Sequence, residues 1–181
     1  MEETNISQEQ NPLGAAPVGG LILKFAIPAI ISMLVSAMYN IVDQIFIGQG
    51  VGMLGNAATN VAFPVTTIAT ALALLLGIGG ASNYNLEMGA GREQRASSIA
   101  GTALSTLVIT GAVLALVVLL FLRSLLGLFG ATTDVMPYAV DYLGITAVGL
   151  PFYVLSIGGN HIVRADRSPT YSMTCVLTGA V

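Results

Sequence analysis

Long stretches without a charged residue constrain this sequence more than any other feature. Charge-free stretches cover 25–42, 44–86 and 96–122, and a nearly charge-free one covers 137–162. A transmembrane helix needs about 20 consecutive, mostly apolar residues. Only 8% of the residues are charged, whereas soluble domains have about 25%. The sequence therefore predicts an all-α integral membrane protein, a bundle of transmembrane helices in contact with the lipid bilayer.

We expect four complete transmembrane helices and the start of a fifth. They are predicted over about 21–47, 57–81, 96–122 and 137–162, followed by an incomplete helix over 171–181. The glycines at 48, 50, 52 and 55 are expected to form a loop over 48–56, because glycine favours turns over helix interiors. A second loop is expected over 82–95. Residues 1–18 form a polar tail, and 19–181 form a partial transmembrane lobe.

The basic residues predict the orientation of these helices, because lysine and arginine near helix ends are retained on the cytoplasmic side. Of the six basic residues, only Arg123 falls on one side of the predicted bundle. The other five basic residues fall on the opposite side: Lys24, Arg92, Arg95, Arg164 and Arg167. The N-terminus also lacks the basic region of a cleaved signal peptide. We therefore predict a multi-pass protein of the cell (plasma or inner) membrane with a cytoplasmic N-terminus.

Asp43 is the most informative residue, because a carboxylate at membrane depth costs roughly 2.5 to 3.5 kcal/mol unless it is neutralised or partnered. It belongs to a polar stripe on one face of the first helix, at about 100° per residue. The stripe consists of Ser32, Ser36, Tyr39, Asn40, Asp43 and Gln44. In one interpretation Asp43 only reaches interfacial water and the other side chains bond neighbouring helices. The continuous stripe favours a cavity instead.

In such a cavity, a partly desolvated carboxylate can exchange a proton, or can hold a sodium ion or an organic cation. Tyr39 would offer a hydroxyl group and a π face to a cationic ligand. Asn60 and Thr67 of the second helix are further candidates to line the cavity. Pro64 in the same helix and Pro151 in the fourth each remove a backbone hydrogen bond, which predicts a kink at both positions.

Other site chemistries have little support in the sequence. His161 is the only histidine and Cys175 the only cysteine, so we expect no metal cluster and no Cys/His nucleophile. The string from Gly50 to Gly55 matches GxGxxG but follows a membrane helix, not a strand, which argues against a nucleotide cofactor. The sequence has no basic patch of the kind that binds nucleic acid. An intramembrane enzyme would need a second ionisable partner for Asp43, so no enzyme is predicted.

Several segments together resemble the multidrug and toxic compound extrusion (MATE) transporters. In chain order they read FAIPAI, YNIVDQIFIGQG, NVAFPV, EMGAGREQRASSIAG, LLGLFGATTDVMPYAVDYLGI, GLPF and VRADRSPTYSM. The resemblance implies twelve helices in two six-helix lobes, and export coupled to inward proton or sodium flow. It matches Asp43 to the acid of the first helix that is associated with cation coupling. Pro28 and Pro64 match recurrent prolines, so a kink is expected at Pro28 too.

The resemblance also implies that an asparagine and an acid of the fifth helix face Asp43, and the chain reaches Val181 before them. We therefore expect a fragment of the N-terminal lobe, whose partners are the remaining helices of the full-length transporter. The predicted function is a cation-coupled antiporter that exports amphipathic, cationic small molecules by alternating access. Two alternatives remain open: a lipid or lipid-linked sugar exporter of the same superfamily, and a non-transporting membrane assembly module.

Overall fold

The computed structural model describes residues 18–166, 171, 172, 174, 175 and 178, and this part of the chain is all-α. Its helices are α1 (Val18–Gly50), α2 (Met53–Gly89), α3 (Glu93–Leu120), α4 (Leu122–Leu128) and α5 (Met136–Ala165). Among the described residues, α1 from Ala29, α2, α3 and α5 are long and apolar enough to cross a membrane. The four predicted complete helices are therefore present. The predicted tail over 1–18 and most of 171–181 lie outside the described residues.

The connection between α1 and α2 is much shorter than the predicted loop over 48–56. Only Val51 and Gly52 separate the two helices. Gly52 has φ of 77°, a left-handed conformation that glycine adopts without a steric penalty. The other glycines are helical, and Gly55 is buried at a position where a Cβ would lie 2.7 Å from Cβ of Val51. The glycine cluster thus serves close packing as well as the turn.

The predicted loop over 82–95 is also mostly helical, and the reason is the way α2 ends. Arg92 N–H donates to the Glu87 carbonyl at 2.9 Å, and Gly91 N–H donates to the Met88 carbonyl at 3.1 Å. Gly91 has φ of 72°. This pair of bonds around a left-handed glycine is a Schellman motif, which stops a helix abruptly. The charged residues in the segment therefore do not mark the end of the helix.

The helix predicted over 96–122 ends two residues earlier than expected, and a short helix follows it. α3 ends at Leu120, Phe121 interrupts the helix with φ of −110°, and the seven-residue α4 follows. Arg123, which follows the predicted helix in the sequence, therefore lies within α4. A third left-handed glycine, Gly130, ends this segment with bonds from Ala131 N–H to the Leu126 carbonyl and from Gly130 N–H to the Gly127 carbonyl.

The core consists of α2, α3 and α5, which pack through small residues. A Cβ on Gly77 of α2 would lie 2.6 Å from both Cα and the carbonyl oxygen of Gly158 in α5. Likewise, a Cβ on Gly111 of α3 would lie 2.7 Å from Cα of Pro151. Such close backbone approach is typical of membrane helices, where dispersion contacts replace the hydrophobic effect as the driving force for association.

In contrast, α1 is mostly exposed. Among its described side chains only Ser32 is buried, at 3% exposure, and large apolar side chains such as Met33 and Leu34 lie on its surface. Its contact with α2 is concentrated near the turn, where the Asn56 amide lies 2.9 Å from the position of a Cβ on Gly48. Helix α1 therefore has most of its apolar surface available for lipid or for other helices.

The contacts define the relative directions of the helices. Tyr84 near the end of α2 donates to Asp166 just after α5, at 2.6 Å, so these helices run parallel. Gly80 of α2 lies close to Ala103 of α3, and Gly111 of α3 lies close to Pro151 of α5. Since α2 and α5 are parallel, these two contacts show that α3 runs antiparallel to α5. The connections at Gly52 and at 129–135 thus lie at one end of the bundle, and the connection at 90–92 lies at the other.

Arg92, Arg95 and Arg164 lie at the same end of this bundle, as the sequence predicted, and their placement on the cytoplasmic side stays a prediction. Arg92 Nε donates to the Glu87 carboxylate, and 51% of the Arg92 side chain is exposed. This hydrogen bond and the negative charge of Glu87 raise the pKa of Arg92. Arg92 therefore stays charged.

Cysteine labelling in intact cells tests the orientation. In a full-length protein with all of its native cysteines replaced by alanine, Cys175 among them, a cysteine at Ala90 should react only with reagents that enter the cytoplasm. A cysteine at Gln49 should react with impermeant reagents added outside, because it lies at the opposite end of the bundle. The parent without cysteines is the control for background labelling. Labelling of position 90 alone from outside would reverse the predicted topology.

Candidate functional site

A cavity of about 760 Å³ lies between α1, α2 and α5, in the half of the bundle near the α1–α2 turn. Each helix contributes side chains from one face. The lining residues are Tyr39, Asn40, Asp43, Gln44, Thr59, Asn60, Ala62, Phe63, Thr66, Tyr142, Thr146, Gly149, Leu150 and Tyr153. Volumes of about 300–1,000 Å³ are usual for small-molecule sites. The cavity is therefore large enough for a drug-sized molecule.

Asp43 is the only charged residue among the described residues that line this cavity. Its side chain is half-buried, and no described residue donates a hydrogen bond to its carboxylate. A carboxylate in such a position can accept a proton, a metal cation or a ligand N–H group. The cavity therefore has one titratable anionic group available to a ligand.

Aromatic rings on the other helices line the same cavity as the carboxylate. Phe63 lies on α2, and Tyr142 and Tyr153 lie on α5, opposite Tyr39 of α1. Aromatic faces attract cations within about 6 Å of the ring centre, and they also bind the apolar part of an amphipathic ligand. The walls of the cavity thus suit a molecule that combines a positive charge with a flat apolar body.

Hydroxyl groups join the helices at the cavity wall. Thr70 Oγ1 of α2 lies 2.9 Å from Tyr153 Oη of α5. Thr59 Oγ1 of α2 lies 3.5 Å from Gln44 Oε1 of α1 and donates a shorter bond of 2.9 Å to the Asn56 carbonyl. The hydrogen bond between α2 and α5 therefore has an ordinary length, whereas the polar contact between α2 and α1 is long and weak.

The structure brings together most of the residues that the sequence suggested for a site, and leaves three out. Tyr39, Asn40, Asp43, Gln44 and Asn60 share the cavity lining. Ser32 is buried elsewhere on α1, and Ser36 is exposed, with its carbonyl accepting the Asn40 amide at 2.7 Å. Thr67 is exposed and donates to the Phe63 carbonyl at 3.0 Å. None of these last three side chains belongs to the described lining.

The sequence did not lead us to predict that α5 contributes to the cavity. Tyr142, Thr146, Gly149 and Tyr153 all line the cavity, and their spacing of four, three and four residues places them on one helical face. That spacing could have identified the face. It is hard to recognise without the structure, because each polar residue is separated from the next by apolar residues that are equally compatible with a lipid-facing helix.

The prolines affect the site through the backbone. α2 continues through Pro64 and α5 through Pro151. A proline within a helix cannot bond the carbonyl four residues earlier, so the carbonyl of Asn60, a lining residue, lacks that helical partner. Kinks at Pro64 and Pro151 remain predictions. The Pro28 side chain lies outside the described residues.

Comparison with known proteins agrees with these features. The family model MatE matches residues 28–181. An FAD transporter of Shewanella oneidensis is 31% identical over 170 residues, which cover 92% of this chain and 37% of that protein. The multidrug export protein MepA of Staphylococcus haemolyticus is 24% identical, and the match covers 87% of this chain and 35% of that protein.

Two solved structures have the same arrangement of helices. The MATE multidrug transporter DinF-BH, solved as a complex, has a TM-score of 0.82 and 35% identity, over 92% of this chain and 37% of that one. A MATE protein in complex with MaD5 has a TM-score of 0.81 and 29% identity, over 88% of this chain and 36% of that one. The chain thus spans about a third of the length of these relatives.

Proposed function

The chain belongs to the MatE family, and from that premise we propose that it forms part of a transporter that exports amphipathic cations in exchange for protons or sodium ions. The observation that carries this proposal is the cavity between α1, α2 and α5, in which Asp43 is the single charged group among the described lining residues. The remaining helices of a longer protein would complete the cavity. No further cofactor is required.

The chemistry of the exchange follows from a single carboxylate. Asp43 can neutralise either a coupling cation or the positive charge of a substrate, but one unit of negative charge does not balance both. Binding of a proton or a sodium ion therefore releases the organic cation, and loss of that ion restores the site. Alternating access would expose the cavity to one side of the membrane for each half of this cycle.

The walls supply the selectivity for amphipathic molecules. Phe63, Tyr39 and Tyr153 offer rings for stacking and for cation–π contacts.

The 31% identity to a protein named as an FAD transporter raises a competing substrate class. FAD carries phosphate groups, which cationic or N–H donor groups bind best. Among the described residues that line the cavity, Asp43 is charged and none is basic. Repulsion by an ionised carboxylate disfavours an anionic ligand, so cationic substrates fit this cavity better.

Transport by the purified full-length protein in liposomes tests the proposal. We expect an ethidium-like cation to be moved when a proton or sodium gradient is imposed, and not when both gradients are collapsed by ionophores. Liposomes without protein are the control for passive leak. Transport of FAD without transport of the dye would show that the substrate is a flavin nucleotide and not an amphipathic cation. Equal dye movement without any gradient would contradict antiport.

A further inference from the structure

Three threonines that line the cavity use their hydroxyl protons within their own helices. Thr59, Thr66 and Thr146 each donate to the carbonyl three or four residues earlier, at 2.9, 2.9 and 2.8 Å. A hydroxyl group has one proton and two acceptor lone pairs. Because each proton is already committed to the backbone, each of these oxygens can offer a ligand only an acceptor.

The Tyr153 hydroxyl can also offer a ligand only an acceptor, for a different reason. Thr70 Oγ1 donates to the Thr66 carbonyl at 2.8 Å, and the same oxygen lies 2.9 Å from Tyr153 Oη. Since the only proton of Thr70 is used in the first bond, the second bond must be donated by Tyr153. The Tyr153 oxygen therefore also faces the cavity as an acceptor.

Asp43 adds a carboxylate, which in its charged form has no proton to donate. The other polar groups of the lining each carry a hydroxyl or an amide that can donate as well as accept: Tyr39, Asn40, Gln44, Asn60 and Tyr142. These five adapt to a ligand, whereas the carboxylate and the four committed hydroxyl groups offer only acceptors.

We propose that this acceptor set selects cations that carry N–H groups, such as protonated amines, amidines and guanidines, over quaternary ammonium compounds of equal charge. The acceptor set is the Asp43 carboxylate with the hydroxyl oxygens of Thr59, Thr66, Thr146 and Tyr153. This inference rests on the proposed function and specifies the substrate class of the same cavity.

The physical basis is the cost of leaving acceptors without donors. Both kinds of cation gain the attraction of the carboxylate and of the aromatic rings. Only the N–H cation also replaces the water that is displaced from the acceptors. A quaternary cation leaves the carboxylate and the remaining lone pairs of the hydroxyl oxygens without a donor, which lowers its affinity relative to the N–H cation.

A matched pair of dyes tests this inference in liposomes that contain the full-length protein. Both share one aromatic ring system, and one carries a protonated primary amine where the other carries its trimethylated, quaternary form. We expect half-saturation of transport at about 10-fold lower concentration for the primary ammonium dye, the effect of about one charge-assisted hydrogen bond.

The double variant Thr66→Val/Thr146→Val keeps the branched shape of both side chains and removes two acceptors. It should reduce the difference in half-saturating concentration between the two dyes, because only the primary ammonium dye loses affinity. Thr102→Val is the matched control, because Thr102 on α3 makes the same type of bond, to the Ser98 carbonyl at 2.9 Å, and lies outside the described lining. It should leave the preference unchanged.

The wild-type comparison is decisive even if the double variant does not fold. If both dyes half-saturate equally and Asp43→Asn abolishes transport of both, the acceptor inference is wrong and the proposed function stands. If Asp43→Asn leaves transport of both dyes intact, the proposed function itself fails. An unchanged dye preference in a folded double variant would also overturn the role of the threonine hydroxyl groups.

Discussion

Replacing Asp43 by asparagine in the full-length protein should reduce gradient-driven export of an ethidium-like cation to the level of liposomes without protein. Asparagine keeps the shape and most of the hydrogen-bonding capacity of aspartate but cannot titrate. Membrane insertion should be unchanged or improved, since a costly charge is removed from the membrane. Transport rate and the amount of inserted protein are the two quantities to measure.

Two further variants separate the role of the charge from its position. Asp43→Glu keeps the carboxylate on a longer side chain, so we expect partial transport with a shifted pH optimum. Asp141→Asn is the matched control, because it removes the same charge from an exposed site on α5 outside the main cavity, and it should transport normally. Wild-type export by Asp43→Asn between pH 6 and 8 would show that Asp43 is an interfacial residue without a coupling role.

Replacing Gly77 by alanine should strongly destabilise the bundle. The new Cβ would lie 2.6 Å from two backbone atoms of Gly158, and backbone atoms cannot rotate away as a side chain can. α2 and α5 would have to separate, at a cost of about 1 to 3 kcal/mol, the usual range for overpacking. The measurement is the midpoint of thermal aggregation of the full-length protein in detergent, followed by size-exclusion chromatography.

Gly79→Ala is the matched control, two residues further along the same helix. No atom lies within 4 Å of the Cβ it would add, and alanine favours a helix over glycine by about 1 kcal/mol. The thermal midpoint should therefore stay the same or rise slightly. Equal midpoints for Gly77→Ala and wild type would mean that the close approach of α2 to α5 is not maintained in the membrane.

The sequence predicted the helices and one wall of the site for clear physical reasons. The long charge-free stretches can satisfy their backbone groups in lipid only as helices, and Asp43 stood out because charge is rare and costly there. Helix boundaries were less predictable. Most of the glycines between 48 and 55 are helical, since glycine in membrane helices serves close packing as often as turns.

The sequence by itself thus determined that this protein is a bundle of transmembrane helices with a carboxylate on a polar face of the first. Only the tertiary structure decided what that carboxylate faces. In a soluble helix, polarity distinguishes the buried face from the exposed one, but in lipid both faces are apolar and small residues mark the packed face. The approach of Gly77 to Gly158 sets α5 against α2, and Tyr142 and Tyr153 of α5 line the same cavity as Asp43.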